Sequence, residues 1–117
     1  MSIKHRIAIK RVYDKPAKED GIRVLVDRLW PRGVSKQKAK VDLWFKDIAP
    51  SDALRKWFGH KEDRWEGFKK KYLKELEGKK ELTEQLETIK KKSAVTLLFA
   101  AKDTERNNAV VLKNMLG

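Results

Sequence analysis

A chain of 117 residues suffices for one domain with a single modest core, and 40% hydrophobic residues with four Trp and four Phe exclude a disordered chain. It has no cysteine, which excludes disulfides, thiolate nucleophiles and Cys-ligated zinc. The net charge of +12 directs attention to an anionic partner.

The N-terminal stretch MSIKHRIAIK spreads its charges and has no continuous apolar segment, so it reads as neither signal peptide nor membrane anchor. The longest apolar run, Ala94 to Ala101, is far too short to span a bilayer. Cytoplasm is the expected location, with no membrane partner. Ile7 to Val12 is β-branched and reads as a first strand. YDKPAKEDG is turn chemistry, punctuated by Pro16 and Gly21. Ile22 to Leu29 reads as a second strand, ended by Pro31, which has no N–H to give to a ladder. RGVSKQKAKVD is a basic loop with room for one helical turn, and Leu43 to Ile48 reads as a short strand or a bridging segment.

The middle of the chain is helical. Ser51 is placed to cap a helix, Asp52 suits its first turn, and Leu54, Trp57 and Phe58 share one face before Gly59 stops it. A longer helix from Lys61 to Gly78 shows Trp65, Phe68, Tyr72 and Leu76 at spacings of three, four and four. Leu82, Leu86 and Ile89 mark a third helix, with Lys90 to Lys92 at the end the helix dipole favours for cations. AVTLLFAA, apolar nearly throughout, suits a central strand covered on both faces. Asp103 or Thr104 is expected to cap a last helix that buries Ala109, Leu112 and Leu116. The fold class is therefore α/β: residues 1–117 as a single small domain, with a mostly parallel sheet flanked by helices.

Four apolar runs end alike, in a basic residue and an aspartate: Arg11 and Asp14, Asp27 and Arg28, Lys46 and Asp47, Lys102 and Asp103. In a parallel sheet the C-terminal strand ends lie side by side, and ligands of open α/β sheets bind along that edge. Arg11, Arg28 and Arg32 are candidate anion clamps, because guanidinium forks match phosphate or carboxylate. Lys46 and Asp103 belong to the same set. Asp27, set beside Val26 and Leu29, must be paired or have a raised pKa. Trp30 offers a stacking surface, and the start of the last helix, with Asn107 and Asn108, offers polar groups and a positive dipole end. Each residue also has a plainer role: Asp27 paired to Arg28 or Arg11, Asp103 a cap, Trp30, Trp44 and Trp57 in the core.

Sharper signatures are missing. No Gly-rich phosphate loop, Ser–His–Asp arrangement or acidic–Lys nuclease triplet is visible, and His5 and His60 are too far apart for a local metal motif. The residues show no metal ligand set, and they leave the cofactor and any metal dependence open.

At VLVDRLWPRGVSK, LWFKDIAPSDALRKWFGH, RWEGFKKKYLKEL and TLLFAAKDTERNNAVVL the sequence resembles the YeaO-like branch of the domain-of-unknown-function family 488, from about Ile7 to Leu116. The resemblance implies a small bacterial or archaeal α/β domain with no established activity. It also implies a departure: close relatives usually have Asn-His-Ala where this chain has Asn107-Asn108-Ala109, and longer ones often have a Cys where Phe99 stands. Asn108 can hydrogen-bond a ligand but cannot titrate.

The expected function is a basic Arg/Asp crevice for an anionic, phosphate- or nucleotide-like small molecule. If it is an enzyme, Asp14 or Asp27 acts as base or metal ligand and Lys102 stabilises developing charge. The alternative partner is nucleic acid, bound or cut. It rests on the basic excess of residues 1–59, where 15 Lys and Arg face 7 Asp and Glu, and on the loop Arg32 to Lys40. The residues set no oligomeric state.

Overall fold

The apolar run near the C-terminus becomes the middle of the sheet. A computed structural model describes residues 6–117, so His5 and the first half of the N-terminal stretch lie outside the described residues. Four strands, β1 (Ile7–Arg11), β2 (Ile22–Leu25), β3 (Leu43–Trp44) and β4 (Val95–Phe99), form one sheet in the order β1-β4-β2-β3. Every pairing is parallel. β4 pairs with β1 from Ile7–Val95 to Arg11–Phe99, and with β2 from Ile22–Val95 to Leu25–Leu98. Neighbours on both sides and cover on both faces leave every residue of β4 buried, hence its unbroken apolar sequence.

The helices are α1 (Lys36–Ala39), α2 (Asp52–Phe58), α3 (Trp65–Glu77), α4 (Lys80–Lys92) and α5 (Asn108–Leu116). They cover the sheet unequally. Val24, Val26, Val95, Leu97 and Phe99 pack into the large core with side chains of α2 to α5. On the other face, Leu25, Leu98 and Val12 form a smaller cluster with Ala39 of the one-turn α1, Val41 and the half-buried Trp30, Val34 and Ala100. Aromatic rings tie α2 to α3: Phe58 stacks on Phe68 with centroids 4.5 Å apart. Such a pair contributes about 0.5–1.5 kcal/mol beyond its area. Tyr72 is fully buried and donates its hydroxyl hydrogen to the Ile48 carbonyl at 2.7 Å.

Most helix boundaries follow the sequence signals. Ser51 caps α2 by accepting from the Leu54 N–H, and Gly59 ends it in the left-handed conformation. Ser35 likewise caps α1, the single turn expected in the basic loop. Leu43 to Ile48 combines both readings, a two-residue strand followed by a 3-10 turn at Lys46–Ile48. Three boundaries differ. β2 stops at Leu25, well before Leu29 and Pro31. α3 starts at Trp65, because Glu62–Arg64 form a 3-10 turn first. The cap of α5 is Asn107, whose side chain accepts from the Val110 N–H, and neither Asp103 nor Thr104. Asp103 is spent on a tighter turn upstream, accepting from the Glu105 and Arg106 N–H groups.

Gly21 is required where it stands. Its φ is +66°, and a Cβ there would lie 2.2 Å from the Ala94 carbonyl oxygen, so β2 could not approach the start of β4 with any other residue. No helix among the described residues is long and apolar enough to cross a membrane.

Candidate functional site

Consecutive parallel bonds link β2 to β4 as far as the Val26 N–H, which donates to the Leu98 carbonyl at 3.1 Å. The next rung of such a ladder would run from the Ala100 N–H to the Val26 carbonyl. Side chains replace it. The Ala100 N–H donates to Asp27 Oδ2 at 2.8 Å, and Asn108 Nδ2 donates to the Val26 carbonyl at 2.9 Å and to Asp27 Oδ1 at 3.1 Å. This is why β2 ends early: a carboxylate and an amide stand in for the backbone, and the two strands part. The chain leaving β4 goes to α5 on the thick face, while that leaving β2 goes to α1 on the thin face. Neighbouring strands whose connections diverge to opposite faces open a crevice at their C-terminal ends.

A cavity of about 480 Å³ occupies that crevice. Its walls include Tyr13, Trp30, Pro31, Pro50, Phe58 and Phe68, and its polar groups are Asp27, Arg28, Arg32, Arg55, His60, Arg106, Asn107 and Asn108. Phe58, Phe68, Pro31 and Pro50 are buried and Asp27 is half-buried, whereas Arg32, Arg55 and His60 are exposed. The carboxylate thus lies inward and most of the cations outward. Burial pushes the Asp27 carboxyl above its ordinary range, against the opposing pull of the Ala100 N–H, the Asn108 amide and the charge of Arg55. It is paired with neither Arg28 nor Arg11. Arg28 makes no hydrogen bond or ion pair among the described residues, and its Nε is buried without a partner.

The sequence-derived set divides here. Asp27, Arg28, Trp30, Arg32, Asn107 and Asn108 line the cavity together. Arg11, Asp14, Lys46, Lys102 and Asp103 do not. Arg11 binds the carbonyls of Ala101 (3.0 Å) and Ala100 (3.1 Å), fixing the chain where it leaves β4. Asp14 and Lys102 are exposed, and Lys46 sits over the Trp44 ring, 5.6 Å from its centroid. Asp103 serves its turn, whose N–H groups, that of Glu105 first, hold its carboxyl below the ordinary range despite some burial. Trp44 and Trp57 are partly exposed, at 40% and 36%, and of the four Trp only Trp65 and Trp30 pack against core clusters.

Sequence reading passed over Arg55 and Arg106 and set His60 aside. Arg55 and His60 come from one short segment, since α2 and its Gly59 stop carry both to the rim. His60 is itself left-handed, at φ +58°, an uncommon conformation for a residue with a Cβ. Arg106 is brought in by the turn that Asp103 organises, and also meets Glu62 at 3.6 Å. Among the described residues no group of three or more His, Asp or Glu is placed to hold a metal ion.

The architecture and the crevice define a small parallel α/β protein with a ligand-sized hollow at its carboxyl edge. More particularly, the chain belongs to the family described as the inactive DUF488-N3 subclade, which it matches over residues 6–117. It is 44% identical over 110 residues to the uncharacterized protein YeaO of Escherichia coli K12, covering 94% of this chain and 96% of that one. It is 40% identical over 111 residues to the uncharacterized protein Rv3073c of Mycobacterium tuberculosis H37Rv, covering 95% and 93%. No solved structure matches the chain.

Proposed function

We propose that this protein binds, without transforming it, a small anionic ligand with a planar apolar body, of the size and kind of a nucleotide. The observation that carries the reading is Arg28: a guanidinium on the cavity wall, its Nε buried, with no partner among the described residues. A buried donor left unpaired costs free energy, which an anion would recover. Arg32, Arg55 and Arg106 surround the same space, and aromatic and proline side chains give it apolar walls. A volume of about 480 Å³ gathered in one concave hollow suits one small molecule, and favours this reading over a nucleic-acid strand.

Binding is favoured over catalysis for two reasons. The family description carries the word inactive. The side chain that meets Asp27 is an amide, Asn108, which cannot carry a proton to or from a substrate.

The test is calorimetric titration with inorganic phosphate and nucleoside monophosphates, alongside thermal unfolding. Ligand at about 100 times its Kd stabilises the fold by about 2.7 kcal/mol, so a bound ligand raises the melting temperature. Arg28→Ala removes the unpaired donor, so it is expected to leave unliganded stability unchanged or raised, and to abolish the ligand-dependent rise. Unaltered binding in Arg28→Ala, or no binding by any of these anions, defeats the reading.

A further inference from the structure

Charge is arranged unevenly within the cavity. Four arginines line it, yet Asp27 has no cation within 4.0 Å among the described residues. Its oxygens are instead held by two neutral donors, the Ala100 N–H on Oδ2 and Asn108 Nδ2 on Oδ1. Each carboxylate oxygen accepts at two positions, so one acceptor site remains on each. An anionic group placed at this inner end would meet a carboxylate; placed outward, it would meet Arg32 and the exposed Arg55, which is also paired with Asp52 at 2.7 Å. The cavity therefore fixes direction as well as charge.

We infer that the ligand enters with an edge of two adjacent N–H donors directed at the Asp27 carboxylate and its anionic group outward at the arginines, which is the chemistry of a guanine nucleotide. The inference rests on the reading of the cavity as an anionic-ligand site and adds which ring that site selects. Guanine presents N1–H and the exocyclic N2–H side by side and in plane, matching the two oxygens of one carboxylate. Adenine presents an acceptor, N1, beside its amino group and opposes the carboxylate with a lone pair. Hypoxanthine offers only the single N1–H and belongs between them. The half-buried setting sharpens the choice, because an unsatisfied polar contact costs most away from water.

The experiment is calorimetric titration of the full chain with inorganic phosphate, GMP, IMP and AMP, using wild type, Asp27→Asn and Arg28→Ala. In wild type, GMP is expected to bind at least ~10-fold more tightly than AMP, with IMP between, the scale of one bidentate base contact. Asp27→Asn exchanges one acceptor for a donor and is expected to remove the GMP preference. Arg28→Ala weakens all three nucleotides alike. The wild-type series needs no variant to fold, so it stands alone if Asp27→Asn is damaged. Equal affinity for GMP and AMP overturns this inference and leaves the nucleotide-like reading intact, whereas binding of phosphate but of no nucleotide overturns this inference and the planar body of that reading, and keeps only its anion site. No binding of phosphate or any nucleotide overturns both.

Discussion

An aspartate lies two residues beyond each end of strand β2, and the two are treated in opposite ways. At the N-terminal end, Asp20 is buried against Arg23 Nη1 at 2.6 Å and Lys10 Nζ at 3.2 Å, and also accepts the Ala17 N–H. At the C-terminal end, Asp27 has only neutral donors. Burial raises both carboxyls. At Asp20 the Ala17 N–H, Lys10 and Arg23 more than offset it and leave the carboxyl below its ordinary value. At Asp27 the neutral contacts do not, and it stays above. A carboxylate consumed by internal cations holds a fold together; one that cations on its own cavity wall leave alone is available to something else. That contrast locates the site better than the net charge does.

The comparison breaks most visibly at Asp20. Asp20→Ala strands Arg23, which is 3% exposed, without its counter-ion. Removing one partner of such a pair costs about 3–5 kcal/mol, a large part of a small domain's stability. Urea unfolding measures it, and a loss under about 1 kcal/mol would show that the pair is not what secures this end. At the other end, Asn108→Ala removes the donor to the Val26 carbonyl and to Asp27. The expected cost is about 1–3 kcal/mol for the carbonyl left behind, with a further rise in the Asp27 pKa. An unchanged unfolding midpoint would mean that water serves Val26 equally well.

The smallest effect is the most diagnostic. Asp20, with its folded pKa lowered from 3.8, contributes stability that is present above the unfolded value and lost as pH falls through the folded one. Asp27, with its folded pKa raised from 3.8, contributes in the opposite sense: present below the unfolded value, lost as pH rises through the folded one. Carboxyl-carbon resonances followed by NMR should titrate below 3.8 for Asp20 and above it for Asp27. The reverse order would remove the distinction on which the site rests.

Much of this was legible from residues alone, and the reasons are physical. β4 announced itself because a strand covered on both faces needs no polar alternation. α2 was bracketed by Ser51 and Gly59 because caps act locally. Asp27 stood out because a carboxylate among Val26 and Leu29 must be accounted for. The end of β2 was not legible, because nothing local reveals that Asp27 and Asn108, 81 residues apart, will replace a backbone rung. Arg55 and Arg106 were missed for the same reason: each lies on the surface of its own element and reaches the cavity only through tertiary packing. Arg11 misled in the other direction. A guanidinium at a strand end looks like an anion clamp until the Ala100 and Ala101 carbonyls are seen to occupy it.

The unequal cover of the sheet has a consequence for where the fold opens first. Four helices clamp one face, but the other is roofed by a single helical turn and the loop running from Arg28 to Val41. Segments with few apolar anchors open at a fraction of the free energy of global unfolding. The roof includes Trp30, Pro31 and Arg32, all part of the cavity wall. That flap is therefore expected to exchange its amide hydrogens before the helical side does.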